Sequence, residues 1–447
     1  METVCNEMSK EFKPGFTREE ALTEASRCLQ CKKPSCRTGC PVNNAIPQFI
    51  HAIKTEDYSL GLAQISEYSY LPAVCGRVCP QENQCEQACI LAKKGKPISI
   101  GQLERYLGDI RWAQTINAEP PSLAPVAVIG SGPAGLSAAM QLRQLGHPVT
   151  IFEGEKEPGG ILLHGIPEYR LPKAVVRSEM AKVAALGINF RTGTIVGQDI
   201  LLEDLFIQGY QALFIGTGAG SPRTLGIPGE DMPGVMFANY LLQTVNLIYL
   251  GQLPAWERPI QIGETVVVVG AGNVAMDAAR TALRLGAKVT ILHRRGEQEM
   301  TARSTEILEA KHEGAEFMFN TAPLEILGEA NVTGVRCAPT EVVQTKDAKT
   351  SVAILAEHSF VLPADKIVVA TGLRPFSRIV STSQGFAVGS NGVLVTDEHG
   401  MTTRAGVFAA GDVVHGPATV VRAMGEGRRV ARAIHAYLEQ KVPAVAK

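Results

Sequence analysis

The chain has 447 residues, 45% of them hydrophobic and 19% charged, which is long enough for two or three packed domains. A net charge of −1 without a lysine- or arginine-rich tract argues against nucleic acid or an anionic membrane as partner. Met1–Lys13 is charged throughout, and apolar runs elsewhere are strand-length and end in glycine, which predicts a cytoplasmic protein without a membrane span.

Residues 1–118 contain no strand-like apolar run, and helical spacing of apolar residues over Thr17–Leu29, Ile46–Ile53 and Ile100–Trp112 predicts a small helical domain. Nine of the ten cysteines fall before residue 90. Two quartets stand out, Cys28, Cys31, Cys36 and Cys40 followed by Pro41, and Cys75, Cys79, Cys85 and Cys89, with Pro80 after Cys79. A disulfide framework suits a small secreted domain, whereas clustered thiols on a large enzyme-like chain hold metal. Tetrahedral zinc sites use two short cysteine pairs and a longer spacer. These spacings instead favour iron–sulfur clusters, where the cysteine before a proline often crosses to the second cluster. The run Asn117–Ser122, with two prolines, is expected to be a linker.

Val126–Ile129 then opens into Gly130-Ser131-Gly132-Pro133-Ala134-Gly135, a helical run ends at Gly146, and Val149–Phe152 ends at Glu153. The same strand, turn, helix and strand recur from Thr265, with Gly270-Ala271-Gly272-Asn273-Val274-Ala275, Gly286 and Val289–Leu292, at one constant offset. Two Rossmann-type folds follow. In the first, Gly130 permits the turn, Gly132 admits a pyrophosphate and Gly135 allows helix and strand to pack, while Glu153 stands where a carboxylate accepts from ribose hydroxyls. In the second, His293 takes the place of that acid and is followed by Arg294 and Arg295, which suits a 2′-phosphate and favours NADP(H) over NAD(H).

Two more apolar strands end in small-residue turns, Ala212–Ile215 before Gly216-Thr217-Gly218 and Ile367–Val369 before Ala370-Thr371-Gly372, which predicts ligand contact at Gly218, Thr371 and Gly372. Val407–Ala410 ends in Gly411-Asp412, and Ala418, Thr419 and Val420 open a last helical run. Asp412 suits ribityl hydroxyls, and the helix start suits negative charge on a reduced flavin. The expected architecture is α/β, with an FAD domain of residues 119–255 and 366–447 interrupted by an NAD(P)H domain of residues 256–365.

Together the cysteine quartets, Ile98–Glu104, Gly130–Gly135, Gly159-Gly160, Gly165–Pro172, Gly270–Ala275 and Ala409–Asp412 resemble the small (β) subunit of NADPH-dependent glutamate synthase. They are similar also to the N-terminal part of dihydropyrimidine dehydrogenase and to the large subunit of the NADH-dependent ferredoxin:NADP oxidoreductases. The resemblance spans nearly the whole chain and implies two [4Fe–4S] clusters with crossed ligation. One would use Cys28, Cys31, Cys36 and Cys89, the other Cys40, Cys79, Cys85 and Glu104, leaving Cys75 outside both. It further implies that the turn at 130–135, Glu153, Gly159, Gly160, Ile161, Arg170, Val196 and 411–420 surround FAD. Residues 271–274, Arg294, Arg295 and Arg303 would surround the nicotinamide nucleotide.

No redox cysteine pair follows Gly160, and Cys337 stands alone, which argues against disulfide reduction. Hydride transfer between cofactors needs proximity more than a nucleophile, so no acid–base residue is assigned, and His164, His293 and His415 are read as structural or cofactor neighbours. The expected activity passes electrons from NADPH to a protein acceptor, either a glutamate synthase large subunit or another redox partner. A ferredoxin:NADP transhydrogenase, sulfide dehydrogenase or dihydropyrimidine dehydrogenase subunit is the alternative enzyme reading, and a flavin module without turnover is the non-enzymatic one.

Overall fold

The computed structural model describes residues 11, 14–110, 120–344, 350–375 and 378–441. Asn117–Glu119 of the expected linker and Trp112 of the expected third helix lie outside them.

The first part is helical. Helix α1 is Arg18–Ser26, where Thr17 accepts from the Glu20 backbone N–H and Glu20 accepts in return from that of Thr17, a reciprocal cap that fixes the start. It ends short of the expected Leu29, at Arg27, whose guanidinium donates to Glu24 and to the carbonyls of Lys96 and Pro97. Helices α2 (Ile46–Lys54), α3 (Tyr58–Ser66), α4 (Pro72–Val78) and α5 (Ile100–Asp109) follow. Phe49, Ile50, Ile53, Leu103 and Leu107 fill a core that Cys28, Cys36, Cys40, Cys85 and Cys89 also border.

The chain then builds a parallel sheet. Strands β1 (Val126–Ile129), β2 (Val149–Phe152), β3 (Asn189–Arg191) and β4 (Ala212–Ile215) are short, and β1 and β4 are buried along their whole length, as in a sheet covered on both faces. Helix α6, Pro133–Gln144, starts at Gly132 with proline in its first position, where no amide donor is lost.

After residue 221 a second compact unit begins and holds Pro222–Leu373 together with His164–Tyr169. Its strands β5 (Val235–Phe237), β6 (Thr265–Val269), β7 (Lys288–Leu292) and β8 (Glu316–Met318) are parallel, and helix α7 is Asn273–Arg284. An antiparallel layer of β9 (Thr321–Gly328), β10 (Val332–Gln344), β11 (Thr350–Ile354) and β12 (Phe360–Pro363) precedes β13, Lys366–Val369. The sheet order is β5-β13-β6-β7-β8. The segment Gly165–Tyr169 is held in this unit by Asn246, whose Nδ2 donates to the carbonyls of His164 and Ile166, and by Tyr169, whose ring lies under Arg280 and Arg284 at 4.6 and 4.2 Å.

Strand β14, Val407–Ala409, returns to the first sheet beside β4 and gives the order β14-β4-β1-β2-β3. Helix α8, Val420–Lys441, closes on α6. The close fit needs Gly427, where a Cβ would stand 2.2 Å from the Ala134 carbonyl oxygen.

Two Rossmann-type folds, the second inserted in the first, are therefore present, but the expected boundaries at 255/256 and 365/366 are wrong. The chain crosses near residues 221/222 and 373/374. Val235–Phe237 and Lys366–Val369 pair with each other in the second sheet, and Lys366–Val369 also pairs with β6. A short apolar strand carries no local mark of which sheet receives it; partners far along the chain decide. The helical segment also groups with the first nucleotide fold as one compact unit.

Candidate functional site

In the first unit the turn after β1 is built as a phosphate cradle. Gly130 has φ +97°, and a Cβ there would meet the Gly216 carbonyl oxygen at 2.7 Å. At Gly135 a Cβ would stand 1.9 Å from the Gly130 carbonyl oxygen, so only glycine lets α6 start this close to β1. A Cβ at Gly132 would meet nothing within 4 Å. Bare backbone at a helix N-terminus beside open space fits a pyrophosphate.

The buried Ser131 links this turn to two others. Its backbone N–H donates to Glu153 Oε2 at 2.9 Å, and its hydroxyl accepts from the Gly159 N–H at 2.8 Å while donating to the same carboxylate. Glu153 Oε1 accepts from the Glu155 N–H at 2.9 Å, and the lone pair left on that oxygen suits a ribose hydroxyl. Gly159 and Gly160 have φ +139° and +51°, and a Cβ at Gly160 would stand 2.8 Å from Gly132 Cα. Ile161 is exposed beside them and Arg170 is half-buried. Val196 packs its side chain into the sheet core, so only its backbone can face a ligand. Gly218, at φ +72°, borders open space.

The turn after β14 completes the group. Gly411, at φ +79°, would place a Cβ 3.0 Å from that of Ala134. Asp412 accepts from the Ala418 N–H at 3.1 Å, and burial pushes its carboxyl up to about 6. Thr419 accepts from the Arg422 N–H at the start of α8, beside Val420. Glu426, which the sequence reading missed, accepts from the Gly411 N–H at 3.0 Å and from Arg422 at 2.9 Å. Its only signal is the four-residue spacing from Arg422 on one helix face.

The second unit repeats the cradle with one change. Gly270, at φ +145°, faces the Ala370 carbonyl, and Gly272 starts α7 with only Thr301 Oγ1 near, at 3.6 Å from a built Cβ. Ala275 is fully buried where the first turn has Gly135. Asn273 Oδ1 accepts from the Arg303 N–H at 2.9 Å, and the Ala271 carbonyl accepts from Thr301 and Ala302, so the loop at 301–303 lies along residues 271–273. Val274 and Arg294 are exposed. His293 Nε2 and Arg295 Nε are buried and have no hydrogen-bond partner among the described residues. Burial and the two arginines hold the His293 imidazole below its usual range, against the opposing pull of Glu299. A neutral ring between guanidinium groups fits an anionic 2′-phosphate, which supplies acceptors those groups lack.

Thr371 and Gly372, expected within the FAD domain, belong instead to this second unit. The Thr371 hydroxyl donates to the Arg223 carbonyl at 2.9 Å, and the Arg223 N–H donates to that of Gly372 at 3.0 Å.

The cysteines divide into two groups. Cys28, Cys31, Cys36 and Cys89 line one cavity floored by Ile50 and Ile100. Burial, then the neighbouring Cys28, Cys89 and Cys31, pushes the Cys36 thiol up to about 11. In the second group burial and Glu104 push Cys40 up to about 11, and Cys85 rises under burial, Glu104 and Cys40. Glu104 is itself buried, and its carboxyl is pushed up to about 8 by that burial; Asn44 Nδ2, unnoticed in the sequence, lies 3.5 Å from Oε1. Cys79 is raised by hydrogen bonding to Cys75, by burial and by Glu104 and Cys85.

The second group therefore brings together four cysteines and a carboxylate, with Cys75 among them. Among the described residues no three His, Cys, Asp or Glu side chains close around one ion-sized point. A four-iron cluster would need its ligands spread wider than a single ion does, and these thiols would have to give up their protons to hold it.

The two regions are tied together inside the first unit. The Tyr70 hydroxyl bonds to Gln141 and Gln144 of α6 at 3.2 and 2.7 Å, and Cys75 Sγ lies 3.7 Å from Met424 Sδ of α8. Cys337 is buried in the antiparallel layer, where burial pushes its thiol up to about 11 and leaves it inert. No helix among the described residues is long and apolar enough to cross a membrane.

Residues 124–427 match the pyridine nucleotide-disulphide oxidoreductase family, and residues 5–116 match dihydropyrimidine dehydrogenase domain II, 4Fe-4S cluster. The chain is 36% identical over 440 residues to the glutamate synthase [NADPH] small chain of Escherichia coli, covering 95% of this chain and 93% of that one. It is 35% identical over 449 residues to the same-named chain of Halomonas elongata, covering 98% and 94%. Mycobacterium tuberculosis FprA in complex with NADPH shares the fold at 20% identity and a TM-score of 0.60, over 71% of this chain and 85% of that one.

Proposed function

Since the chain belongs to the glutamate synthase small-chain family of pyridine nucleotide-disulphide oxidoreductases, we propose that it is the electron-input component of a larger enzyme, drawing electrons from NADPH and delivering them to a protein partner. It is an NADPH-dependent oxidoreductase that uses FAD and iron–sulfur chemistry. Bound FAD supplies two-electron hydride chemistry, and clusters supply one-electron transfer. The protein's share is to hold these groups close and dry.

The observation that carries the reading is the direct packing of the cysteine-bearing helix α4 on the flavin-fold helix α8 through Cys75 and Met424. In our assignment Gly132 and Ser131 receive the FAD pyrophosphate, Glu153 its ribose, and Asp412 with the start of α8 its ribityl chain and ring. Arg294 and Arg295 receive the 2′-phosphate of NADPH, Cys28, Cys31, Cys36 and Cys89 hold the outer cluster, and Cys40, Cys79, Cys85 and Glu104 hold the inner one. A large subunit of the glutamate synthase kind is the partner this family membership favours.

The purified chain should oxidise NADPH with an artificial dye and form no glutamate from 2-oxoglutarate and glutamine. Its two nucleotide folds and helical segment account for the described residues, and none provides an amide-hydrolysing site. Glutamate formed by the pure chain overturns the division of labour.

Replacing Arg294 and Arg295 together by alanine should raise the KM for NADPH by about tenfold to a hundredfold, as expected for one or two lost charge-assisted contacts, and leave NADH kinetics almost unchanged. Equal losses with both nucleotides would make the pair structural.

A further inference from the structure

The surface over the first cysteine group has the composition of a transient docking site. Leu29 and Ile90, each next in the chain to a cysteine of that group, are 61% and 49% exposed and border the same cavity. Five exposed lysines flank the same cysteines in the chain: Lys32 and Lys33, the latter lining the cavity, follow Cys31, and Lys93, Lys94 and Lys96 lie in and just after the 3-10 turn Ile90–Lys94 that follows Cys89. The Lys96 carbonyl accepts from the Arg27 guanidinium, which ties that second segment to the end of α1, just before Cys28.

No Asp or Glu lines the cavity. Two of the acidic side chains nearby in the chain are committed elsewhere: Glu24 pairs with Arg27 at 2.6 Å and accepts from the Ser99 N–H, and Glu86 accepts from the Gly101 N–H. No ion pair among the described residues neutralises these five lysines, although the whole chain carries a net charge of only −1. Apolar side chains at the centre with like charges around them are the anatomy of a weak, electrostatically steered interface.

Exposure also separates the two cysteine groups. Cys28, Cys31, Cys36 and Cys89 are all partly exposed, whereas in the second group Cys75, Cys79 and Cys85 are buried and Cys40 alone is partly exposed. An electron held by the first group therefore lies nearer to solvent than one held by the second.

We infer that Leu29, Ile90 and the surrounding lysines form the docking surface for an acidic protein that takes single electrons from this chain. The inference rests on the electron-input reading above and adds the charge and place of the partner. The lysines steer an acidic face into encounter, and the two apolar side chains seat it over the cysteines.

The test uses the full holo chain, anaerobically, with NADPH and one of two acceptors that share a haem but differ in charge: native cytochrome c, which is basic, and succinylated cytochrome c, which is acidic. One NADPH reduces two haem irons, yielding NADP⁺ and one proton. The wild-type chain should reduce the succinylated acceptor about tenfold or more faster than the native one at low salt, and the difference should shrink as ionic strength rises. The Lys32→Glu, Lys93→Glu, Lys94→Glu, Lys96→Glu variant should lose that preference or reverse it.

A Cys36→Ser variant separates the two levels of the argument. If it reduces both cytochromes at the wild-type rate, electrons do not leave through the clusters and the electron-input reading fails. If it abolishes reduction but neither acceptor charge nor lysine reversal changes the rate, the docking surface fails and the reading stands.

Discussion

A Gly132→Val chain is expected to purify folded, with its iron content intact, and without FAD. The backbone at Gly132 has φ −70° and ψ 179°, which valine adopts without strain, and a Cβ there meets no protein atom within 4 Å. The space the side chain fills is the space a pyrophosphate needs at the start of α6. FAD bound per chain should fall by more than about tenfold, and NADPH oxidation with it, since each ten-fold weakening needs only about 1.4 kcal/mol and a clash at the phosphate exceeds that. Flavin absorbance after gel filtration, beside an iron assay, reads the result. Gly135→Val is a poorer probe because its Cβ would strike the Gly130 carbonyl oxygen and disturb α6 itself. Full FAD content in Gly132→Val would remove this turn from the flavin site.

The second large effect is expected at the inner cysteine group. Cys85→Ser should halve the iron, from about eight to about four per chain, and reduce electron delivery to a protein acceptor by about a hundredfold or more, while dye reduction from the flavin persists. Serine binds iron far more weakly than a thiolate does, and Cys85 is buried beside Glu104 and Cys40, leaving no solvent ligand to replace it. Cys75→Ser is the paired control. Cys75 already has neighbours that do not need iron, Met424 Sδ and Ser69 Oγ, each 3.7 Å from its sulfur, so its iron content should stay at the wild-type level. If Cys75→Ser loses iron as Cys85→Ser does, Cys75 is a ligand and Glu104 gives up its place.

How much of this was legible in the sequence depends on how local each feature is. The two glycine turns could be read because a turn that brings backbone to a phosphate imposes its spacing within six residues, and the whole unit recurs at a constant offset from Gly130 to Gly270. The cysteine quartets were legible for the same reason, although the crossing of Cys89 to the first group and of Cys40 to the second came from resemblance and not from spacing. Sheet membership was not legible. Val235–Phe237 and Lys366–Val369 meet only because the chain between them folds into the rest of that sheet, so the boundary between the nucleotide domains was misplaced at both ends. Asn44 reaches Glu104 across sixty residues, and Glu426 reaches back to Gly411 from the second turn of α8. The exposed lysines likewise come from two segments some sixty residues apart, so they left no basic tract to find.

Whether one chain carries a flavin and two four-iron clusters is decided by measuring FAD, iron and acid-labile sulfide together in anaerobically purified protein. About one FAD, eight iron and eight sulfide per chain are expected. Stoichiometric zinc without sulfide, or iron and sulfide near four with both cysteine groups intact, would contradict that expectation.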